Sequence, residues 1–540
     1  MAGLAKSFGS GAMTNSIEEI DKADAFFVTG SNPTENHPVI GSRLRKAVRN
    51  GSKLVVSDPR RIELAEEADL FLQPKPGTDT ALINSIMHVI LAEDLHDQEY
   101  IEERTENFAE LEEIVRQYPP ERAEEITGVP AEKIEEAAEI YGQADRGSII
   151  YAMGITQHVS GTGNVTSLAC MAMLTGNVGR EGTGVNPLRG QNNVQGACDL
   201  GGLPNVFPGY QDVSDPDIRQ KFADYWDIDG FPEEPGLTVV EIFDAAEKGD
   251  VKGLYIMGEN PVLSDPDQKH VIEALENAEF TVVQDIFLND TAEYADVVFP
   301  AACFAEKAGT FTNSERRIQK VEPAVDPPGE ARPDWEIIAA LAREMGYEMS
   351  YEGPAEIMEE IADLTPIYGG IYYDRLGTSG LQWPCEDRDD PGTKFLHEGE
   401  FARGLGKFHP SHYSPPVEEI GDEFTHIMMT GRMLYHYHTG TMTRNSPAID
   451  EFEPDSYVEI NVEDAENMGI EEGDRVKISS RRGSIETYAR IGEVVAPGHI
   501  FMPFHYAESP ANRLTHDELD PEAKIPELKV TAVKLKKIGG

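Results

Sequence analysis

The sequence predicts an α/β protein with two related parallel-sheet domains and a β-barrel at its C-terminal end. Three observations carry this. Apolar strand-like runs alternate with helical patterns over residues 20–190. The same grammar returns after residue 250. From Phe424 onward the chain is made of short strands separated by Gly and Asp turns.

The first region opens with ADAFFVTG (23–30), an apolar run ending in glycine, followed by the polar phrase SNPTENHP and a basic helix through Arg43, Arg45 and Arg49. KLVVSDPR (53–60) and DLFLQPKPGTD (69–79) read as strands, ALINSIMHVILAE (81–93) as a helix, GSIIYAMG (147–154) as a strand and NVTSLACMAMLTG (164–176) as a buried helix. The repeat pairs VKGLYIMGENPVLSDPD (251–267) with FFVTGSNPTENHP, so that Gly258, Asn260 and Pro261 answer Gly30, Asn32 and Pro33. EYADVVFPA (293–301) likewise answers EEADLFLQP (66–74). Residues 350–420, rich in Gly, Pro, Tyr and acids, read as a long surface excursion. In the last region Val476, Ile478 and Ser480 alternate, as do Ile485, Thr487 and Ala489, with a hairpin at Gly483-Ser484. VTAVKLKK (530–537) reads as the final strand. The domains expected are 1–192, 193–420 and 424–540.

Composition narrows the function. The 540 residues carry 97 acidic against 46 basic side chains, a formal net charge of −51. Such a surface argues against nucleic acid or anionic membrane as partner and reads as adaptation to high salt, a halophilic character. Four scattered cysteines, none in a CxxC arrangement, give neither a disulfide framework nor a self-contained cluster site. No run of 18 apolar residues is present, so no direct membrane insertion is expected. With no secretory or twin-arginine pattern at the start, the expected location is cytoplasmic.

The chemistry-bearing residues sit in polar loops. GVNPLRGQNNVQGACDLGGLPNVFPGY (184–210) is dense in Gly, Pro and amides. Arg189 is its only charge before Asp199, and an arginine fork suits a small planar carboxylate. GSNPTENHP (30–38) and SDPRR (57–61) each follow a strand, where open α/β sheets bind ligands; ordinary strand-end turns are the other reading. Gly30 and Asn32 can offer backbone N–H groups to phosphate. Asp58 can accept from a base or ribose, and Arg60 can pair a phosphate. RMLYHYHTGTMTRNS (432–446) and GHIFMPFHYAESPANRLT (498–515) add His, Thr, Tyr and Asn side chains as a polar binding wall. No metal-ligand set, nucleophile or acid–base pair stands out. The chain reads as the holder of a large polar cofactor.

These phrases resemble the catalytic subunit of molybdenum- or tungsten-dependent formate dehydrogenases, within the molybdopterin oxidoreductases. AGLAKSFGSGAMTNSIEEI, GSNPTENHPVIGSRLR, NPLRGQNNVQGACDLGGLP followed by PGY, and HYHTGTMTRNS with HYAESPANRLT carry the resemblance, which extends over essentially the whole chain. It implies a Mo- or W-bis(molybdopterin guanine dinucleotide) cofactor and a C-terminal barrel of the dinucleotide-binding, double-psi type. It implies formate oxidation to CO2, with two electrons passing to an iron–sulfur electron-transfer subunit or other redox partner. Arg189 is similar to the family's substrate arginine. Gly30, Asn32, Glu35, Asp58, Arg60, Gly77 and Asp79 resemble contacts to one guanine dinucleotide. Met153, Gly154, Gln157, Gly190 and Gln191 match pterin-side positions. His436, Thr441, Tyr506 and Asn512 match contacts from the last domain. Asn192 and Asn193 lie beside the site with no role assigned. In the family, the opening phrase follows a Cys-His or selenocysteine-His pair that supplies the metal ligand, and a four-cysteine [4Fe–4S] segment precedes both. Neither stands in this sequence, so the expectation is a shortened chain that catalyses poorly alone and carries a [4Fe–4S] cluster only in a full-length form. The alternatives are another molybdopterin oxidoreductase, such as a nitrate reductase, and a non-catalytic cofactor-binding scaffold.

Overall fold

The computed structural model describes residues 1–539 and divides into two compact units. Among the described residues one comprises 1–190, 263–268 and 395–539, the other 191–262 and 269–394.

In the first unit, β1 (Ala25–Thr29), β2 (Lys53–Ser57), β3 (Leu70–Leu72), β4 (Gly147–Tyr151) and β5 (Gly184–Pro187) form a parallel sheet of order β3-β2-β1-β4-β5. Phe27 pairs with Val55 and Ile149, and Ile149 with Val185. These residues face one core, while Phe26, Val28, Leu54, Val56 and Ile150 face another. Burial on both faces explains why the strands read as continuous apolar runs rather than alternations. Helix α1 (Pro38–Arg49) starts on a proline, buries Ile40, Leu44 and Ala47 as one stripe and ends on basic residues. Helices α2 (Asp79–Ala92) and α3 (Gly161–Leu174) are buried on nearly every side.

The second unit repeats the strand–turn–helix grammar. β6 (Gly253–Met257), β7 (Phe280–Asp285) and β8 (Val297–Pro300) form a parallel sheet of order β8-β7-β6. The repeat extends to its turns. Gly30, at φ 53°, donates its N–H to Ser57 O at 3.1 Å, and Gly258, at φ 65°, donates to Gln284 O at 2.9 Å. Each turn runs into a one-turn helix headed by proline, Pro33–Asn36 and Pro261–Ser264. Leu254 packs on Phe243, Val271 and Leu275, whereas Tyr255, Met257 and Phe280 on the other face are exposed.

The C-terminal strands close into a barrel. β9 (His426–Gly431), β10 (Tyr457–Asn461), β11 (Arg475–Ser479), β12 (Ser484–Gly492), β13 (His499–Pro503) and β14 (Thr531–Lys537) follow the order β9-β13-β10-β12-β11-β14, and β14 pairs back onto β9. Met428, Val458, Ile460, Val476, Ile478 and Leu535 fill it. The hairpin at 483–484 joins β11 and β12 as the alternation required.

The stretch 350–420 departs from the surface excursion expected of it. It contains the helix Pro354–Leu364, and Tyr368, Trp383, Cys385, Phe401 and Phe408 are buried. Met358, Ala362 and Leu364 form the buried face of that helix, while Phe401 and Phe408 join the core of the first unit from stretches with no regular period. Among the described residues no helix is long and apolar enough to cross a membrane.

Candidate active site

The site builds at the carboxyl ends of β1, β2, β4 and β5. The turn after β1 meets the one after β4: Gly154 N–H donates to Gly30 O at 3.0 Å. A Cβ on Gly154 would fall 2.5 Å from that oxygen, so two backbones occupy space that side chains would otherwise fill. His158 Nε2 donates to Gly154 O at 2.9 Å and closes the Met153–Thr156 turn. Met153 itself is exposed and Gln157 half-buried.

β5 delivers Arg189. Leu188 N–H bonds to Tyr151 O at 2.8 Å, holding the loop to the end of β4. Arg189 Nη2 then donates to Gly11 O at 3.0 Å. The opening phrase is therefore an inner wall of the site. Its helix Ala2–Phe8 buries Leu4 and Phe8, and it lies so close to α3 that a Cβ on Gly3 would meet Val165 at 2.9 Å. The carbonyl of Arg189 accepts from His37 Nε2 at 2.7 Å, and that of Gly190 from Arg432 Nη1 at 2.6 Å.

Around this core the polar groups fit a large polar ligand. Ser31 Oγ, Asn36 Oδ1, His37 Nδ1 and Ser57 Oγ are buried without a hydrogen-bond partner. Four orphaned polar atoms on adjoining strand-end turns would be costly in a finished core and suit a cofactor rich in donors and acceptors. Burial pushes the Asp58 carboxyl up to about 6, though the Arg60 N–H bonds to it at 2.9 Å. Burial also raises the carboxyls of Glu35 and Asp79. Gly77, at φ 78°, forms the turn before α2.

Other candidates are already engaged within the protein. Arg60 forks onto Glu459 of β10 through two 3.0 Å bonds and lies 3.6 Å over the Phe501 ring. It ties the SDPRR loop to the barrel, leaving part of its guanidinium for a ligand. His436 uses both ring nitrogens, on Thr443 Oγ1 and Glu453 O. Tyr506 donates to Glu453 O at 3.0 Å. Asn512 donates to the carbonyls of Leu263 and Ser264 at 3.0 and 2.8 Å. Thr441 bonds Thr439 at 2.9 Å. Gln191 lies in the second unit, where its carbonyl accepts from Val194 N–H at 3.4 Å. There Asn193, at φ 58°, accepts from Thr312 N–H at 2.8 Å, which gives it a structural role. Nearby Asp199, fully buried, accepts from Tyr210, Gln195, Tyr368 and Trp383 at 2.6 to 2.7 Å.

The sequence reading missed His37, Arg432 and Lys529. Burial holds the His37 imidazole below its usual range, so it is neutral near pH 7. Lys529 donates to Thr430 O at 2.7 Å, and burial, reinforced by Arg432, lowers it to about 7. Two half-buried basic side chains that influence one another in so acidic a protein are a signal, but one that only the fold assembles. Two further imidazoles are kept neutral by burial: His438 at about 4 and His505 at about 3.

Comparison with known proteins agrees with this architecture. Residues 3–344 match the family model described as molybdopterin oxidoreductase, and residues 427–532 match that of the molydopterin dinucleotide binding domain. The chain is 52% identical to the F420-dependent formate dehydrogenase subunit alpha of Methanocaldococcus jannaschii, over 100% of this chain and 80% of that one. It is 42% identical to formate dehydrogenase H of Escherichia coli, over 100% of this chain and 76% of that one. The fold is similar to that of acetylene hydratase from Pelobacter acetylenicus, with a TM-score of 0.79 at 19% identity, covering 99% of this chain and 80% of that one. The parallel sheets, the closed barrel and the two family models make this chain a member of the molybdopterin oxidoreductase family, which acts through a molybdopterin cofactor.

Proposed function

We propose that the chain is the catalytic subunit of a formate dehydrogenase, built from domains 1–192, 193–420 and 424–540. Its reaction is HCOO⁻ → CO2 + H⁺ + 2e⁻. The observation that carries this reading is Arg189, a cationic fork held to Gly11 O beside the strand ends, together with relatives at 42% to 52% identity that bear formate dehydrogenase names. The fork binds the formate carboxylate through paired N–H donors and sets the direction of its C–H bond.

The cofactor, a bis(molybdopterin guanine dinucleotide) of molybdenum or tungsten, supplies the two-electron acceptor when bound. Gly30, Asn32, Glu35, Asp58, Arg60, Gly77 and Asp79 would hold one dinucleotide. Met153, Gly154, Gln157, Gly190 and Gln191 would stand on the pterin side, and His436, Thr441, Tyr506 and Asn512 would shape the wall from the last domain. Support comes from the orphaned polar atoms of Ser31, Asn36, His37 and Ser57. Electrons leave through a partner subunit, with F420 as final acceptor in line with the archaeal relatives' names.

The test is oxidation of 13C-formate by holoenzyme from the native host, with a viologen dye or F420 as acceptor and nitrate as competing substrate. Formation of 13CO2 matched to acceptor reduction is expected. Nitrate reduction without formate oxidation would give the site to the nitrate-reducing branch instead.

A further inference from the structure

We propose that His37 and Arg432 are positioning residues that clamp the substrate arginine by its own backbone. The inference rests on the formate-binding role given to Arg189 and adds how its direction is set. Consecutive carbonyls, those of Arg189 and Gly190, are taken at 2.7 and 2.6 Å by donors from two distant parts of the sequence. One donor follows the turn after β1; the other leaves the barrel strand β9. Holding both oxygens fixes the peptide plane between them and the plane that follows. The first of these planes borders the Arg189 Cα and so helps to set where its Cα–Cβ bond points, and the second anchors the first from the far side. Its guanidinium then closes on Gly11 O at 3.0 Å. The backbone is thus held at two carbonyls and the side chain at one, and a bidentate ligand meets a fork that needs little reordering.

Two details separate a clamp from incidental contact. A carbonyl only accepts, so His37 must carry its hydrogen on Nε2. Its Nδ1 is then a bare acceptor, buried and unpartnered, so the ring has no other protein bond to serve. And Gly190 has no room for a side chain, since a Cβ there would lie 2.9 Å from Arg432 Nη2. The guanidinium sits against the backbone it holds.

The test compares His37→Leu, His37→Asn, His37→Gln, Arg432→Lys and Arg189→Lys with the native holoenzyme. The readouts are formate KM and kcat, the formate dissociation constant from 13C NMR titration with no electron acceptor present, and thermal stability. His37→Leu and His37→Asn, which cannot reach the carbonyl, should raise the formate dissociation constant and KM by about tenfold. Because His37 Nδ1 is also among the orphaned atoms that face the cofactor, metal and pterin content are measured on each variant, and affinities are compared at equal content; the melting temperature should change little. His37→Gln, whose amide N–H can reach, should restore most of the affinity. Arg432→Lys should fall between, since a single ammonium replaces a planar fork. If His37→Leu fails to fold, His37→Asn against His37→Gln decides the matter. The proposal is overturned if Arg189→Lys weakens formate binding while the His37 and Arg432 variants leave it unchanged, or if those variants lower stability alone. Unchanged formate binding in Arg189→Lys would overturn the formate-binding role itself, and the clamp with it.

Discussion

Gly154 donates its N–H to the carbonyl of Gly30 at 3.0 Å, and this one bond joins the turn that carries Gly30, Asn32 and Glu35 to the turn that carries Met153, Gly154 and Gln157. Both glycines are there for space, and Gly30 also for its φ of 53°. Gly154→Ala would drive a methyl group against the Gly30 backbone at 2.5 Å. The expected cost is about 1–3 kcal/mol, with loss of bound pterin before loss of secondary structure. Denaturant titration followed by circular dichroism, with pterin fluorescence on the same samples, checks this.

Asp58 gives a pH dependence. Its folded-state carboxyl titrates near 6, above the usual 3.8, because burial penalises the charge. The folded protein therefore holds that proton more tightly than the unfolded chain. The resulting stability is full below pH 3.8 and is lost as pH rises through about 6. A ligand N–H is held more strongly by the ionised form. Binding of GDP, as a probe of the dinucleotide end, should strengthen from pH 5 to pH 7, and Asp58→Asn should flatten the profile. Calorimetric titration at several pH values measures it.

Asp199 concerns the loop after Arg189. Four side-chain donors converge on this fully buried carboxylate. Asp199→Ala would leave two hydroxyls, an indole N–H and an amide without their acceptor. Each donor left unsatisfied in the interior costs about 1–3 kcal/mol, so a loss of several kcal/mol is expected. Tyr210→Phe, which removes one donor, should cost about 1 kcal/mol. Trp383 lies in the network, so its fluorescence reports the unfolding of this unit directly.

What the sequence disclosed follows from physics that acts locally. The strands of the first sheet were legible because both faces are buried and the apolar runs are unbroken. The turn at Gly258 was legible because it repeats the phrase at Gly30. The Arg189 loop stood out through its amides. Residues 350–420 read as surface because Tyr368 and Trp383 are buried as donors to Asp199, and Phe401 and Phe408 join a distant core from irregular chain, so that no local period marks them. His37, Arg432 and Lys529 escaped notice because their importance lies in proximity across hundreds of residues. His436 drew attention as a ligand contact, yet the fold spends both its nitrogens internally.

The charge of −51 makes salt a variable. Self-repulsion among surface carboxylates falls as the screening length shrinks to about 3 Å at 1 M salt. Thermal stability should rise steadily with KCl, and dilution should favour unfolding. Differential scanning calorimetry across a KCl series checks the direction.

The measurement that bears most directly on the account is kcat/KM for formate in the holoenzyme carrying Arg189→Lys, beside the native enzyme at equal metal and pterin content. Loss of the bidentate fork should lower it by about a hundredfold or more, mainly through KM. A value within threefold of native, with formate still oxidised, would contradict the assignment of Arg189 as the residue that holds the substrate.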